Sequence, residues 1–422
     1  MTSARRNLGL VLLGGVFVME GFDIAAMSLA VPRLDGGLDL APASFGWVFT
    51  ALLVGLGAGA ALLAPLGDRF GRRPLIVAGC LATGLATLAV ATATSITSFL
   101  VWRFVTGLAL GACLPNVSAL SSELAPERLR ATLMAVVSAG IPVGLSIAGI
   151  AAPAIIAAAG WQGLFFVPGV FAVLLAGVLA LALKGGRPDQ PRTDVSPSAV
   201  SPSAHSTEPG APLPQFELFA RPWAFPFAVF AAMLAFNALV LYLLNSWLPT
   251  VLPGAGLSLD DAARVAGVAN LAGLGIGIGA SLLVDRWRKG TTLVLMFGAM
   301  AIAFATIGLT APDPLRWTLL LMVGVGGANA GGMVLPGLAA YLFPARLLSS
   351  AVGMGVLVAR LGAFAGPPLG GAMIGAEVPA RIFLAVAALP ALICAFIALL
   401  VGAALAVRRR VEGDAPPAAG VF

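Results

Sequence analysis

The sequence has 422 residues, of which 59% are hydrophobic and 10% are charged, whereas a soluble domain is closer to half apolar and a quarter charged. So few charges cannot cover the surface of a soluble protein of this length, so most of the surface must face lipid. The net charge of +6 does not indicate nucleic-acid binding, because the arginines lie in short gaps between apolar runs and not on one basic face.

The side chains needed for common enzyme chemistry are scarce. The only histidine, His205, lies in a Ser/Pro-rich stretch, and Cys80, Cys113 and Cys394 lie far apart inside apolar runs. These residues offer no metal-ligand spacing and no Ser-His-Asp or Cys-His site. We therefore expect no enzyme and no cofactor, and we interpret the cysteines as buried hydrophobic side chains.

Twelve apolar runs are long enough to cross a bilayer, which requires about 20 helical residues. The first run is too long for a signal peptide and no clear cleavage site follows it, so we interpret it as a retained span. The predicted spans are residues 8–33, 44–66, 74–94, 97–122, 131–156, 161–183, 223–251, 262–284, 291–311, 315–340, 347–374 and 380–407.

Four ionisable residues lie deep inside these spans. Glu20 and Asp23 in span one are three positions apart and share a helix face, while Arg103 lies in span four and Arg360 in span eleven. A charge at the bilayer centre costs about 2.5–3.5 kcal/mol, so such groups persist where they pair or line a wet cavity. Two nearby carboxylates repel each other at low dielectric constant, so we expect at least one to take up a proton readily.

These charges have a functional and a structural interpretation. An arginine from each half of the chain can hold one anion, because a guanidinium binds a carboxylate through two parallel hydrogen bonds. The alternative is that Glu20 or Asp23 pairs permanently with Arg103 and only stabilises the bundle. Other polar or aromatic side chains in the spans are candidates to complete a substrate site: Asn116, Tyr242, Asn245, Trp247, Asn270 and Asn329.

The turn after span two contains an aspartate, a glycine and three arginines within six residues. An aspartate at a helix end can pair with a neighbouring arginine or a helix N-terminus, so we predict a conformational latch on the cytoplasmic side. The residues assigned to this latch are Asp68, Arg69, Gly71, Arg72, Arg73, Glu123, Arg128, Asp285 and Arg286.

Two landmarks recur along the chain. Asp68-Arg69 matches Asp285-Arg286 at an offset of 217, and Pro126-Glu127-Arg128 resembles Pro344-Ala345-Arg346 at an offset of 218. These offsets indicate a duplicated six-helix unit with its working site between the halves near the bilayer midplane. The predicted units are an N-terminal bundle (1–184), a disordered cytoplasmic linker (185–220), a C-terminal bundle (221–410) and a cytoplasmic tail (411–422).

The basic residues predict the orientation. Of the 24 Lys and Arg residues, 18 lie on the side of the N-terminus, 4 lie on the other side and 2 lie within spans. The positive-inside rule therefore places both termini in the cytoplasm, with the chain in the inner membrane. We expect the chain to act as a monomer.

Several motifs resemble a known family. Residues 68–73 resemble the loop 2–3 signature of the major facilitator superfamily, with Ala64 in place of the usual leading glycine, and residues 103–107 resemble its span-four motif. Within that superfamily, Glu20-Gly21-Phe22-Asp23 is similar to the span-one signature of the aromatic acid:proton symporter family, with Glu20 where aspartate is usual. Residues 108–116 with Glu123, residues 244–249 and residues 359–363 are similar to its spans four, seven and eleven.

This resemblance implies two pseudo-symmetric six-helix bundles and the import of benzoates, hydroxybenzoates or related acids with protons as coupling ions. It implies that Glu20 and Asp23 serve coupling and binding and that Arg103 and Arg360 face the anion; Asn329 stands where glutamine is expected. Two alternatives are a proton-antiport exporter on the same fold, to which residues 140–144 are faintly similar, and a membrane sensor that binds the acid without transporting it.

Overall fold

The structure is a computed structural model, and it describes residues 3–36, 40–126, 130–182 and 214–413. The described chain is helical. Its helices are α1 (Ser3–Ala30), α2 (Phe45–Leu62), α3 (Leu66–Phe70), α4 (Arg72–Val90), α5 (Ile96–Leu124), α6 (Arg130–Ser138), α7 (Gly140–Ala159), α8 (Gly163–Ala182), α9 (Pro214–Glu217), α10 (Ala224–Val251), α11 (Leu259–Arg286), α12 (Lys289–Leu309), α13 (Pro314–Leu342), α14 (Ala345–Gly375), α15 (Ala380–Val386), α16 (Ala388–Leu399) and α17 (Val401–Gly413).

Twelve candidate membrane spans occur within these described residues, which confirms the predicted all-helical membrane fold. Long apolar segments form helices because every backbone polar group must be satisfied within the bilayer. Side chains cap some of the ends: Ser95 forms a capping box with Ser98 at the start of α5, and Ser258 and Asp313 cap α11 and α13. The predicted linker falls largely outside the described residues, so its disorder stays a prediction.

The helices of the second half repeat the packing of the first. α2 packs along α5 as α11 packs along α13, and α1 packs along α7 as α10 packs along α14. Glycines permit the closest of these approaches. A methyl group at Gly55 would lie 2.3 Å from the carbonyl oxygen of Phe104, and one at Gly107 would lie 2.1 Å from that of Leu52, so only glycine fits at these crossings.

The two halves meet along α7 with α11, α2 with α14, and α1 with α10. The close contacts lie toward the predicted outer face, where Gly149 packs on Gly267 and Gly46 packs on Pro367. At the same end, Arg33 at the end of span one donates a hydrogen bond of 2.8 Å to Asp260 at the start of α11. The halves are therefore packed together on the predicted outer side of the molecule.

Candidate functional site

A small cavity lies between the two halves, with α1, α2 and α5 on one side and α10 on the other. Its empty volume is about 310 Å³, of which about 20 Å³ can hold the centres of water molecules, enough for about one water. We call it the central cavity. The residues that line it are Ile24, Phe49, Leu52, Leu53, Arg103, Tyr242, Asn245 and Ser246.

Among the described residues that line this cavity, Arg103 is the one with a charged side chain. It is fully buried, and its Nη1 donates a hydrogen bond of 2.7 Å to Oδ2 of Asp23, while Nη2 donates one of 3.3 Å to the Asp23 carbonyl oxygen. The other carboxylate oxygen of Asp23 accepts a hydrogen bond of 3.1 Å from the Thr87 hydroxyl. The sequence-based alternative in which Asp23 pairs with Arg103 therefore describes this conformation, and the pair also lies at the cavity.

The pairing leaves part of the guanidinium group available. Asp23 contacts both terminal nitrogens of Arg103, whereas the buried Nε makes no hydrogen bond within the described part of the chain. A buried charged donor without a partner carries a free-energy cost. A carboxylate that reached the Nε side of Arg103 would supply the missing acceptor and keep the Asp23 pair intact.

Glu20 in the first half and Arg360 in the second half attract each other through their opposite charges. Glu20 is 5% exposed, its Oε2 makes no hydrogen bond among the described residues, and it interacts with Arg360 of α14 and with Asp23. Arg360 is half-buried in the middle of α14. The two side chains form no direct ion pair, so the attraction between them acts across a gap.

A second, smaller cavity adjoins the first through Asn245, which lines both. It has an empty volume of about 290 Å³, and Ser28 and Asn270 also line it. Oδ1 of Asn270 accepts a hydrogen bond of 2.9 Å from Nδ2 of Asn329. Asn329 therefore positions an amide that lines the cavity and is not itself among the lining residues.

Four predicted binding residues are not among those that line the two cavities: Arg360, Asn116, Trp247 and Asn329. Asn116 and Trp247 instead bond to the backbone of neighbouring segments. Nδ2 of Asn116 donates to the carbonyl oxygens of Ala64 and Ala112, at 3.0 and 2.9 Å, and so holds α5 against the chain that follows α2. The buried Trp247 donates from Nε1 to the carbonyl oxygen of Pro367 at 2.8 Å, and its ring packs edge-on against Phe49 at 5.3 Å. These contacts favour structural roles, because neither side chain is among the cavity-lining residues.

Some polar side chains at the site were not predicted. Thr87 orients Asp23, and Ser28 and Ser246 line the two cavities. Away from the two cavities, Asn237 is buried against Gly331 with its Oδ1 unpaired among the described residues. An isolated Ser or Thr in an apolar span is a weak signal because it can bond to its own helix, as Ser28 does to Ala25. Asn237 shares its residue type with the predicted amides and could have been found.

The predicted latch residues of the first half form one cluster. Arg72 at the start of α4 donates a hydrogen bond of 3.3 Å to Asp68 and another to Glu123 at the end of α5. Gly71 has a φ of 97°, which favours glycine and separates α3 from α4. Arg69 lies over the Phe70 ring at 5.3 Å. Arg73 lies in the same turn, and Arg128 lies outside the described residues.

The second half carries a related cluster with different chemistry. Oδ1 of Asp285 accepts a hydrogen bond of 2.7 Å from the Tyr341 hydroxyl, and Nζ of Lys289 lies 4.0 Å from the centre of the Tyr341 ring. Lys289 corresponds to Arg72 at the offset of 217, and Tyr341 corresponds to Glu123 at the offset of 218. Arg286 follows Asp285 and is exposed. The two turns are therefore structural counterparts with one acid replaced by a phenol.

Comparison with known proteins gives three informative matches. The 4-hydroxybenzoate transporter PcaK of Pseudomonas putida is 28% identical over 380 residues that cover 85% of this chain and 84% of that protein. The 3-(3-hydroxy-phenyl)propionate transporter of Escherichia coli K12 is 31% identical over 380 residues, 88% of each chain. A crystal structure of a bacterial homologue of the human lysosomal transporter Spinster shares the fold, with a TM-score of 0.72, 18% identity, and coverage of 99% of this chain and 100% of that one.

The family match covers most of the sequence. The family model of the Major Facilitator Superfamily matches residues 13–354, which include the span-one acids, the turn after span two and Arg103. The relatives named as aromatic acid transporters confirm the resemblance predicted from the sequence. This multi-pass membrane protein therefore belongs to the Major Facilitator Superfamily.

Proposed function

We propose that this protein imports an aromatic carboxylate together with protons by alternating access. The observation that carries the proposal is Arg103, a buried guanidinium at the wall of the central cavity whose Nε makes no hydrogen bond within the described residues. The relatives named for 4-hydroxybenzoate and 3-(3-hydroxy-phenyl)propionate support an aromatic acid as the substrate. Both of those compounds combine a carboxylate with an aromatic ring and a hydroxyl group.

The lining of the central cavity matches such a molecule. The carboxylate binds at the Nε side of Arg103, where it supplies the acceptor that this nitrogen lacks. The ring packs among apolar and aromatic side chains such as Phe49, Leu53 and Tyr242. The amide of Asn245 and the hydroxyl of Ser246 lie on the α10 side of the same cavity, where they can bond to a ring hydroxyl group. The cavity has room for about one water, so the halves must separate before the substrate enters.

Glu20 supplies the coupling in this proposal. Its carboxyl group is buried near the middle of span one, one of its oxygens has no partner among the described residues, and it acts electrostatically on Arg360 in the other half. Taking up a proton removes the attraction to Arg360, which then turns to the substrate anion. Binding of the anion and of the proton together changes the electrostatic attraction between the two halves. The movement of the halves is thereby linked to both binding events.

The cycle proceeds between the packed outer side seen here and a state in which that side is open. We propose that this protein lies in the cytoplasmic membrane with both termini inside, and that one chain is the working unit. The excess of basic residues on the side of the N-terminus supports that orientation.

Uptake by the purified full-length chain in proteoliposomes tests the proposal. Radiolabelled benzoate, 4-hydroxybenzoate and 3-(3-hydroxyphenyl)propionate are compared with succinate, with and without an inward proton gradient. We expect the aromatic acids to accumulate only when the gradient is present, and succinate not to accumulate.

Other outcomes assign the chain to the competing functions. Accumulation that ignores the gradient removes the proton coupling. Substrate efflux driven by inward proton movement indicates an exporter, and binding without flux indicates a sensor. Accumulation of succinate equal to that of benzoate removes the aromatic specificity.

A further inference from the structure

A basic cleft opens at one end of the second half, away from the central cavity. Its empty volume is about 1630 Å³, and it lies between the turn joining α11 to α12, the end of α13, and α16 and α17. Four cationic side chains line it: Arg288, Lys289, Arg408 and Arg409. α11 is the eighth span, so its end lies on the same side of the membrane as the N-terminus, which is the predicted cytoplasmic side.

The cleft carries an excess of positive charge. None of the described residues that line it is acidic. The nearby Asp285 accepts a hydrogen bond from the Tyr341 hydroxyl, and the ammonium group of Lys289 lies over the Tyr341 ring. The guanidinium groups of Arg288 and Arg409 are exposed and form no ion pair with any described residue. Charges of one sign held this close together favour an anionic occupant.

An apolar groove continues from the basic cleft along α11 and α12. Its empty volume is about 690 Å³, and Ile276, Leu283, Leu295 and Met296 line it. Leu283 and Leu295 are 48% and 57% exposed in the part of the helices that faces the bilayer. Trp287 lines both the groove and the cleft and is positioned at the boundary between them, where tryptophan is favoured in membrane proteins.

We infer that this surface binds an anionic phospholipid, with its phosphate group in the basic cleft and one acyl chain in the apolar groove. The positive charge of the cleft attracts a phosphate group, and basic sites between helices on the cytoplasmic side bind anionic head groups. Free phosphate would use the cleft and leave the groove without a role, so the adjoining groove favours a lipid.

Tryptophan quenching by lipids with brominated acyl chains tests the inference. The full-length chain is placed in mixed micelles containing brominated phosphatidylglycerol or brominated phosphatidylcholine. The chain has 7 tryptophans, so the fluorescence of the Trp287→Phe variant is subtracted to isolate the contribution of Trp287. We expect phosphatidylglycerol to quench Trp287 at lower concentration, and the preference to fall about fivefold for each cation neutralised in Arg288→Gln, in Arg409→Gln and in the double variant.

A matched control changes the same charge in the same segments. Arg286→Gln/Arg410→Gln alters residues that flank the cleft but do not line it, and its lipid preference should equal that of the unchanged protein. The inference is overturned if the control loses as much preference as the cleft variant or if the unchanged protein prefers neither lipid. Competition by millimolar inorganic phosphate that displaces phosphatidylglycerol completely would indicate a phosphate site instead.

Discussion

The guanidinium group of Arg103 has two sides with different partners. Asp23 occupies the terminal nitrogens, and Nε makes no hydrogen bond among the described residues. In the proposed function Nε receives the substrate carboxylate, so that one arginine both stabilises the bundle and recognises a passing anion. Breaking a buried ion pair by deleting one partner costs about 3–5 kcal/mol, so a variant that keeps the charge is the informative one.

Arg103→Lys should weaken substrate binding while the fold is retained. Lysine can still pair with Asp23 but has no equivalent of Nε, so one charge-assisted hydrogen bond to the carboxylate is lost. Such a bond contributes about 1.5–3 kcal/mol, so we expect the half-saturating concentration for uptake to rise about 10- to 150-fold. Arg264→Lys, which alters an exposed arginine paired with Asp261, is the control, and an equal effect in both variants would contradict the assignment.

Glu20→Gln should separate transport from its driving force. Glutamine keeps the shape of the side chain and cannot release a proton, so a pH gradient should no longer drive accumulation. Exchange of labelled for unlabelled substrate across the membrane should continue, since Arg103 is unchanged. The control is Glu377→Gln in the turn after α14. If the Glu20 variant still accumulated substrate fully under a pH gradient, Glu20 would have no role in proton coupling.

The sequence located the charges inside the spans and limited the partner of Arg103 to Glu20 or Asp23, but it did not decide between these two acids. Glu20, Asp23, Arg103 and Arg360 stand out because charges in apolar spans are rare. Which acid pairs with Arg103 depends on the rotation of α1 against α5, which residue spacing does not specify. The same limit applies to Asn116, because an amide that bonds to a neighbouring backbone and one that bonds to a substrate have the same sequence signal.

At the scale of the helices, the crossing of α7 and α11 packs the two halves together on the predicted outer side. A methyl group at Gly149 would lie 2.6 Å from the Ala263 carbonyl oxygen and 2.7 Å from the backbone of Gly267. Because this contact joins the two halves, enlarging it should act on the transport cycle more than on the fold of either half.

Gly149→Val should therefore shift the protein toward the state that is open on the outer side. Overpacking costs about 1–3 kcal/mol, which corresponds to a shift of about 5- to 150-fold in that equilibrium. We expect slower uptake and faster labelling of a cysteine introduced at Ser28 by an impermeant maleimide. Gly275→Val is the control, because the space around Gly275 is open, and identical labelling rates in the two backgrounds would exclude the outer-closure role.

Helix existence was easier to predict than helix continuity. Run length and hydropathy predicted twelve spans, and the structure confirms them. The break between α6 and α7 near Gly140, and the division of the last span into α15, α16 and α17, were not predicted. Each break is a single residue between two helices, which hydropathy averaged over a whole span does not detect.

On the scale of the whole molecule, a covalent link across the halves should arrest the cycle. A Cβ at Gly375 would lie 3.4 Å from that of Ala43, close to the 3.5–4.5 Å of a disulfide. In Ala43→Cys/Gly375→Cys we expect oxidation to abolish uptake and dithiothreitol to restore it. Each single-cysteine variant should be insensitive to oxidation, and full uptake by the crosslinked protein would show that the outer side need not open.

The repeat was predictable from the sequence, and the interface between its copies was not. The offset of 217 between the two Asp-Arg pairs indicated duplication, and the helix packing repeats accordingly. The ion pair between Arg33 and Asp260 gave no such signal, because Arg33 ends a span and Asp260 lies in a short polar gap, and charges are common at both kinds of position.

Because Tyr341 stands in the second copy where Glu123 stands in the first, we expect the turns after spans two and eight to respond differently to ionic strength. Arg72 holds two carboxylates by charge, whereas Asp285 is held by a phenol. Raising salt from 0.1 to 1 M shortens the screening length from about 10 to 3 Å, which weakens exposed ion pairs most. With the predicted orientation, a rise in cytoplasmic salt would therefore loosen this end of the first half before that of the second, and amide hydrogen exchange at the two turns would register the difference.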